Sequence, residues 1–302
     1  MTTEVVFGID LGGTKMEGVV LPFRGSIDPI ARLRLPTESE KGYNHIVEQL
    51  GRLLQNLEAA CKLKATRVGI CTPGTVDPKS GFHKNSNTTC LNGKPFRSDL
   101  EKKFGIPVAV ANDANCFALA EATLGAVQQN APGAKVVFGI IMGTGVGGGL
   151  VINGQVLNGA HGIAGEWGHN FLDERGGPCY CGKSGCVEKV IAGPSLEGFY
   201  ASKAGNKKSL KDILAAYNTG NDPIAILTID RLLHFFGLAA SVLINILDPD
   251  AIVIGGGVGN IDLLYTRGVE EVRKHIFNPE LNTIFLKPAL GDSAGVFGAA
   301  ML

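Results

Sequence analysis

The pentapeptide Val5-Val6-Phe7-Gly8-Ile9 recurs letter for letter as Val136-Val137-Phe138-Gly139-Ile140. Each copy runs into a glycine turn, Gly12-Gly13-Thr14 in the first and Gly143-Thr144-Gly145 in the second. An apolar run then resumes, Gly18-Val19-Val20-Leu21 and Gly149-Leu150-Val151-Ile152. This is the pattern of strand, tight turn and strand, and its repetition predicts a duplicated unit. Helical and strand signals alternate after each hairpin; the amphipathic stretch Tyr43 to Cys61, for example, leads into Val68-Gly69-Ile70. The expectation is a mixed α/β fold with two lobes. Near Asn112 the strand Val108-Ala109-Val110 turns into a helix from Ala114 to Leu124, which places the lobe boundary there. The predicted division is 1–111 and 112–291, with a closing helix over 292–302 returning to the first lobe.

The 302 residues, 45% hydrophobic and 19% charged, are enough for two cores. Lys plus Arg equals Asp plus Glu at 28 each, so nothing points to a polyanionic partner such as nucleic acid. No basic N-terminal region precedes an apolar run, and no uninterrupted apolar stretch reaches the roughly 18 residues of a membrane span. A soluble, cytoplasmic protein is expected. The 42 glycines gather in short loops after apolar runs, where loops that bind phosphate are found.

Asp10-Leu11-Gly12-Gly13-Thr14-Lys15 puts a carboxylate at a strand end, two residues without Cβ in the turn, then a hydroxyl and a cation. Glycines let backbone N–H groups approach phosphate oxygens, and a carboxylate there can hold Mg²⁺ directly or through water. An ordinary hairpin turn accounts for the same residues. The second copy carries Gly143-Thr144-Gly145-Val146-Gly147-Gly148-Gly149, and together the two loops suit one polyphosphate, ATP with its Mg²⁺. Neither has the spacing of a Walker loop or a dinucleotide fingerprint. A third run, Gly255-Gly256-Gly257, follows Ala251-Ile252-Val253-Ile254 and fits either close approach to a flat ligand such as adenine or a turn that needs positive φ. Asn112-Asp113-Ala114-Asn115 sits at a strand-to-helix junction, where Asp113 is a natural N-cap. Its functional alternative is a base that takes the proton of a sugar hydroxyl attacking the γ-phosphate, with Asn112 bonded to a neighbouring hydroxyl.

Three of the seven cysteines, Cys179, Cys181 and Cys186, are clustered, with Gly182 and Gly185 as turns between them and His169 upstream. Three thiolates and an imidazole make a closed tetrahedral zinc site with a structural role. Glu166 and Glu188 flank the cluster, and such a knot would draw both carboxylates into one neighbourhood. Fixed acceptors suit a polyhydroxyl ligand; taken singly, either is an ordinary solvated glutamate.

Through Asp10 to Lys15, Asn112 to Asn115, Gly143 to Gly149, Gly165-Glu166-Trp167-Gly168-His169, Cys179 to Glu188 and Gly255 to Gly257, the chain resembles the ROK (repressor, ORF, kinase) family over its whole length. The resemblance implies two ribonuclease-H-like lobes of the actin-like ATPase type around a central cleft, and transfer of phosphate from Mg-ATP to a hexose. It implies Asp113 as catalytic base and Asn112, Glu166, His169 and Glu188 on the sugar. Zinc is implied on His169, Cys179, Cys181 and Cys186, with the other nitrogen of His169 toward the sugar, and a homodimer is implied as the working form. The stretch Lys84 to Phe96, with Trp167 and Asn170, looks most like the fructokinase and mannokinase branch, with fructose 6-phosphorylation as the expected reaction. Glucokinase and N-acetylglucosamine kinase are the alternatives. A sugar-responsive repressor of the same family is the competing class; it would carry a helix-turn-helix ahead of the first strand, which here begins by Val5.

Overall fold

The computed structural model describes residues 5–302. The first hairpin forms from β1 (Val6–Leu11) and β2 (Lys15–Leu21), closed by the Gly12 N–H donating to the Lys15 carbonyl at 3.0 Å. Next come β3 (Ala31–Pro36), α1 (Tyr43–Cys61), β4 (Val68–Thr72), the small hairpin β5 (Thr75–Val76) and β6 (His83–Lys84), α2 (Phe96–Phe104) and β7 (Val108–Asn112). The sheet order is β3-β2-β1-β4-β7, with β1, β4 and β7 mutually parallel. Burial explains the sequence of each strand. β4 is covered on both faces and reads as a continuous buried run, whereas the edge strand β3 alternates, exposing Arg32 and Arg34 and turning Ala31, Leu33 and Leu35 inward. Glu17 on β2 is buried but ion-paired with Arg32 and Arg34 of that edge strand.

The chain continues through α3 (Asp113–Thr123), α4 (Ala126–Asn130) and the second hairpin, β8 (Val136–Met142) and β9 (Val146–Ile152), followed by β10 (Gln155–Val156). After the cysteine loop come α5 (Val187–Ile191), α6 (Gly193–Ala204), α7 (Leu210–Thr219), α8 (Pro223–Leu247), β11 (Ala251–Gly255), α9 (Gly256–Gly259), α10 (Arg267–Arg273), β12 (Ile284–Leu286) and α11 (Ala294–Ala300). The second sheet has the order β10-β9-β8-β11-β12, with β11 parallel to both β8 and β12. Helix α8 starts at a capped N-terminus: Asp222 accepts from the Ile224 and Ala225 N–H groups, and Pro223 fills the first turn. It is long and apolar enough to pass for a membrane span by length and composition, although polar residues such as Asp230, Arg231 and His234 interrupt its apolar runs. Most of its apolar stretch is buried, as befits a core helix.

Two compact units emerge, and their limits are not those predicted. One takes in the chain up to Gly133 together with Gly149–Ala164 and Ala289–Leu302; the other comprises Ala134–Gly148 and Gly165–Pro288. Helix α3, which the sequence pattern assigns beyond a boundary near Asn112, belongs to the first unit because it packs on α11. β9 passes from the second unit to the first at Gly149. The terminal helix α11 lies on β1 and β4 of the first unit. It can do so because Gly8 and Gly69 present bare backbone: a Cβ on Gly69 would fall inside the Ala299 carbonyl, and one on Gly8 would strike the Ala300 and Val296 backbone.

Glu121 secures this return of the chain. Its carboxylate, 0% exposed on α3, accepts from the N–H groups of Ala126 at 2.8 Å and of Ala289 and Leu290 at 3.0 Å. Three backbone donors, one of them on buried Ala126, thus depend on one side chain. Glu121→Ala should lower the unfolding free energy by about 2 kcal/mol, since the orphaned Ala126 donor is buried and such a group costs about 1–3 kcal/mol, while those of Ala289 and Leu290 can turn to water. Glu121→Gln, which keeps one acceptor oxygen, should lose less; urea unfolding measures both, and a loss below about 0.5 kcal/mol for the alanine variant would contradict the assignment.

Candidate active site

In the first unit the parallel register brings the strand ends together. Asp10 stands opposite Cys71 across β1 and β4, and Thr72 stands opposite Asn112 across β4 and β7. The carboxyl ends of parallel strands are where open α/β sheets bind ligands, since the loops and helix starts there leave backbone N–H groups unpaired. Gly13, Thr14 and Lys15 are exposed in the turn after β1, and Gly12 is half-buried beside them.

The junction after β7 differs from the predicted one in its cap. Asn112, not Asp113, is the N-cap of α3: its Oδ1 accepts from the Asn115 N–H at 2.8 Å. Asp113 is the first helical residue, with Oδ1 accepting from the Ala114 N–H at 2.9 Å. Capping is therefore discharged by its neighbour, and the Asp113 carboxyl stays solvent-accessible within a shell dense in protein atoms. Burial within that shell pushes its pKa up, opposed by the Ala114 N–H. Asp10 is pushed up too, first by burial and then by the negative charges of Asp113 and Glu17, against a lowering hydrogen bond from the Cys71 thiol. A carboxylate held up by burial and by the charge of a second carboxylate is a donor that a hard divalent cation relieves.

In the second unit the same rule operates. β8 ends at Gly143-Thr144-Gly145, and β11 ends at Gly255-Gly256-Gly257, in register with β8 through Gly255 opposite Ile141. Gly256 has φ +82°, and a Cβ there would run into the Met142 carbonyl, so the turn and close packing on β8 both require glycine. The Gly143 loop is held from behind by the Gly193 N–H, which donates to the Gly143 carbonyl at 2.9 Å. Gly147 lies half-buried farther along β9.

Glu188, expected on the sugar, also has a contact the sequence did not indicate. Its Oε2 accepts from the Val146 N–H at 3.1 Å, and a Cβ on Gly145 would approach that oxygen to 2.6 Å. The side chain thus braces the second glycine loop. Glu166 precedes the single turn Trp167–His169, whose Trp167 is buried edge-on against Phe138 at 6.3 Å.

The metal-type donors converge. One nitrogen of His169 and the sulfurs of Cys179, Cys181 and Cys186 all lie within 4.8 Å of one another. His169 Nδ1 is 3.6 Å from Cys179 Sγ, and Cys181 Sγ is 3.6 Å from Cys186 Sγ. A tetrahedral zinc with Zn–S near 2.3 Å places such edges at about 3.8 Å, so the residues fit that ion. Without one, burial and the neighbouring thiols push Cys186 up to about 12, a cost a dication removes by taking the thiolates. The second nitrogen of His169 does not stand free: Nε2 is 2.9 Å from the Tyr180 hydroxyl, and the rings meet edge-on at 5.1 Å. The Tyr180 ring is largely exposed, and crowding around its hydroxyl, followed by the negative charges of Glu188 and Glu166, pushes its pKa up to about 12.

Cys71, Thr72 and Tyr180 are residues the sequence motifs passed over. For the first two the signal was present: Cys71-Thr72-Pro73-Gly74 follows the apolar run Val68 to Ile70, a third strand end like those after β1 and β7. Tyr180 carried no signal beyond lying between two cysteines.

The pattern of the ROK family matches residues 6–302, and the chain belongs to that family. Among its relatives is the N-acetyl-D-glucosamine kinase of Vibrio cholerae, 35% identical with 98% of each chain covered. The ROK hexokinase of Thermus thermophilus shares the fold at a TM-score of 0.86 and 31% identity, covering 99% of this chain and 97% of that one. The ROK family glucokinase of Streptomyces griseus, solved in complex with glucose and AMPPNP, aligns at a TM-score of 0.74 and 27% identity with 98% of each covered.

The raised carboxyls make a testable contribution to stability. An acid whose folded pKa exceeds its unfolded value stabilises most below the unfolded value, and this is lost as pH rises through the folded one. At neutral pH the ionised Asp10 is therefore a net cost. Asp10→Asn should melt above the parent at pH 7 without Mg²⁺, the gap closing toward pH 4; a variant melting lower at pH 7 would contradict this reading.

Proposed function

We propose that this chain is an ATP-dependent sugar kinase that phosphorylates N-acetyl-D-glucosamine. The observation that carries the kinase reading is Asp113, freed from capping by Asn112, with its raised carboxyl near the Asp10 side chain at the ends of parallel strands. The name of the Vibrio cholerae relative favours N-acetyl-D-glucosamine over the fructose expected from Lys84 to Phe96.

In this reading Asp113 accepts the proton of the sugar hydroxyl as its oxygen attacks the γ-phosphate of ATP. A carboxyl raised toward neutrality is the better base. The Asn112 side-chain amide, its oxygen engaged in the cap, donates to a neighbouring hydroxyl. Backbone N–H groups of Gly12 to Lys15 and of Gly143 to Gly145 donate to phosphate oxygens, and Gly255 to Gly257 let the adenine approach the backbone. Mg²⁺ held by Asp10, directly or through water, supplies charge neutralisation on the phosphates. Glu166 accepts from the sugar. His169 Nε2 takes a sugar hydroxyl in place of the Tyr180 hydroxyl; a zinc ion, which His169, Cys179, Cys181 and Cys186 would hold, would fix the ring. Glu188 acts through the Gly145 loop it braces. A cytoplasmic homodimer is the working form suggested by the family resemblance.

A coupled ADP-release assay with Mg-ATP and N-acetyl-D-glucosamine, glucose, mannose and fructose tests this directly. The expected result is a kcat/KM at least tenfold higher for N-acetyl-D-glucosamine, a selectivity that one well-placed polar contact supplies. Preference for fructose would restore the earlier expectation and overturn the substrate assignment. No turnover on any of the four would contradict the kinase reading itself.

A further inference from the structure

A second group of metal-type donors lies within the second unit, where α10 packs on α8 and away in sequence from the cysteine loop. His234 on α8, Glu271 on α10 and His275 just past it each bring one ligand-type atom to within 4.8 Å of the others. Their framework is rigid. A Cβ on Gly237, one turn along α8 from His234, would meet the Cβ of Glu271 at 2.6 Å, so the two helices approach backbone to backbone at this point. The His275 N–H donates to the Val272 carbonyl at 3.0 Å and prolongs the helical turn. Farther along α8, Asn245 clamps the same segment: its amide donates to the His275 carbonyl at 3.3 Å and its oxygen accepts from the Phe277 N–H at 2.8 Å.

One polar atom in this group is left over. His275 Nε2 is buried and has no hydrogen-bond partner, whereas buried side-chain nitrogens are nearly always satisfied. The His234 ring stands edge-on to the His275 ring at 6.1 Å. Glu271 engages the Lys274 ammonium through Oε1 at 2.5 Å, and its second oxygen carries no such pair. Two donors on packed helices and a third just past one of them, with a ring nitrogen of His275 buried and unpaired, form a site prepared for a cation.

We propose that His234, Glu271 and His275 bind a divalent transition-metal ion, zinc by the chemistry of the donors, that staples α10 to α8. Two imidazoles and one carboxylate suit zinc, while Mg²⁺ and Ca²⁺ require oxygen ligands throughout. Three protein ligands leave the remaining position to water. Lys274 opposes the ion, because its ammonium already pairs with one oxygen of the Glu271 carboxylate and its positive charge repels a cation on the other.

Equilibrium dialysis of the untagged chain against buffered Zn²⁺, with zinc counted by atomic emission, tests the proposal. His234→Asn and His275→Asn should each bind one equivalent less than the parent chain, and Lys274→Ala should bind that equivalent several-fold more tightly. Circular dichroism checks that the variants fold. Equal zinc stoichiometry in the parent and both histidine variants would overturn the proposal, whatever the number bound at the cysteines.

Discussion

Parallel pairing of β1, β4 and β7 is the constraint on which the first unit rests. One register sets Asp10 beside Cys71 and Thr72 beside Asn112, so a shift of either strand would scatter the acid, the cap and the helix start. The register is in turn locked by packing. α11 lies in backbone contact with β1 and β4 through Gly8 and Gly69, and on α3 through Gly298, where a Cβ would fall on the Cys116 carbonyl. The helix that carries Asp113 at its start is thereby pressed against the same element that covers the strands. Glu121 completes the arrangement by holding the segment that leads into α11.

Local features of the fold were legible in the sequence because they are set by local physics. Tyr43–Cys61 is helical over the residues its periodicity marks, and both hairpins follow the repeated pentapeptide. The clustering of His169 with the three cysteines follows from short spacing and glycine turns. What escaped depends on contacts between distant residues. The placement of 149–164 in the first unit, apart from the rest of the second hairpin, has no local signature. Likewise, nothing near Glu188 in sequence indicates that its carboxylate braces Val146, and nothing near Tyr180 indicates a bond to His169. The misplaced cap shows the limit within one motif: Asn and Asp both cap well, and the choice between Asn112 and Asp113 was settled by where β7 ends.

That one-residue difference matters for chemistry. An aspartate used as a cap has an oxygen committed to backbone donors two or three residues on, which stabilises its ionised form. With Asn112 in the cap, Asp113 carries a raised pKa, as does Asp10 near it. The acids at the strand ends are thus held with raised pKa values, which costs stability at neutral pH. The cysteine loop repeats the theme, with thiols crowded so that an ion relieves them.

The central claim is that Asp113 removes a proton during phosphoryl transfer and does nothing essential for holding either substrate. Single-turnover kinetics of Asp113→Asn beside calorimetric binding of N-acetyl-D-glucosamine and a non-hydrolysable ATP analogue with Mg²⁺ tests it most directly. The account predicts dissociation constants within about threefold of the parent and a transfer rate lower by about 10²–10⁴-fold, the usual worth of a positioned general base. A transfer rate close to that of the parent, with binding intact, would contradict it.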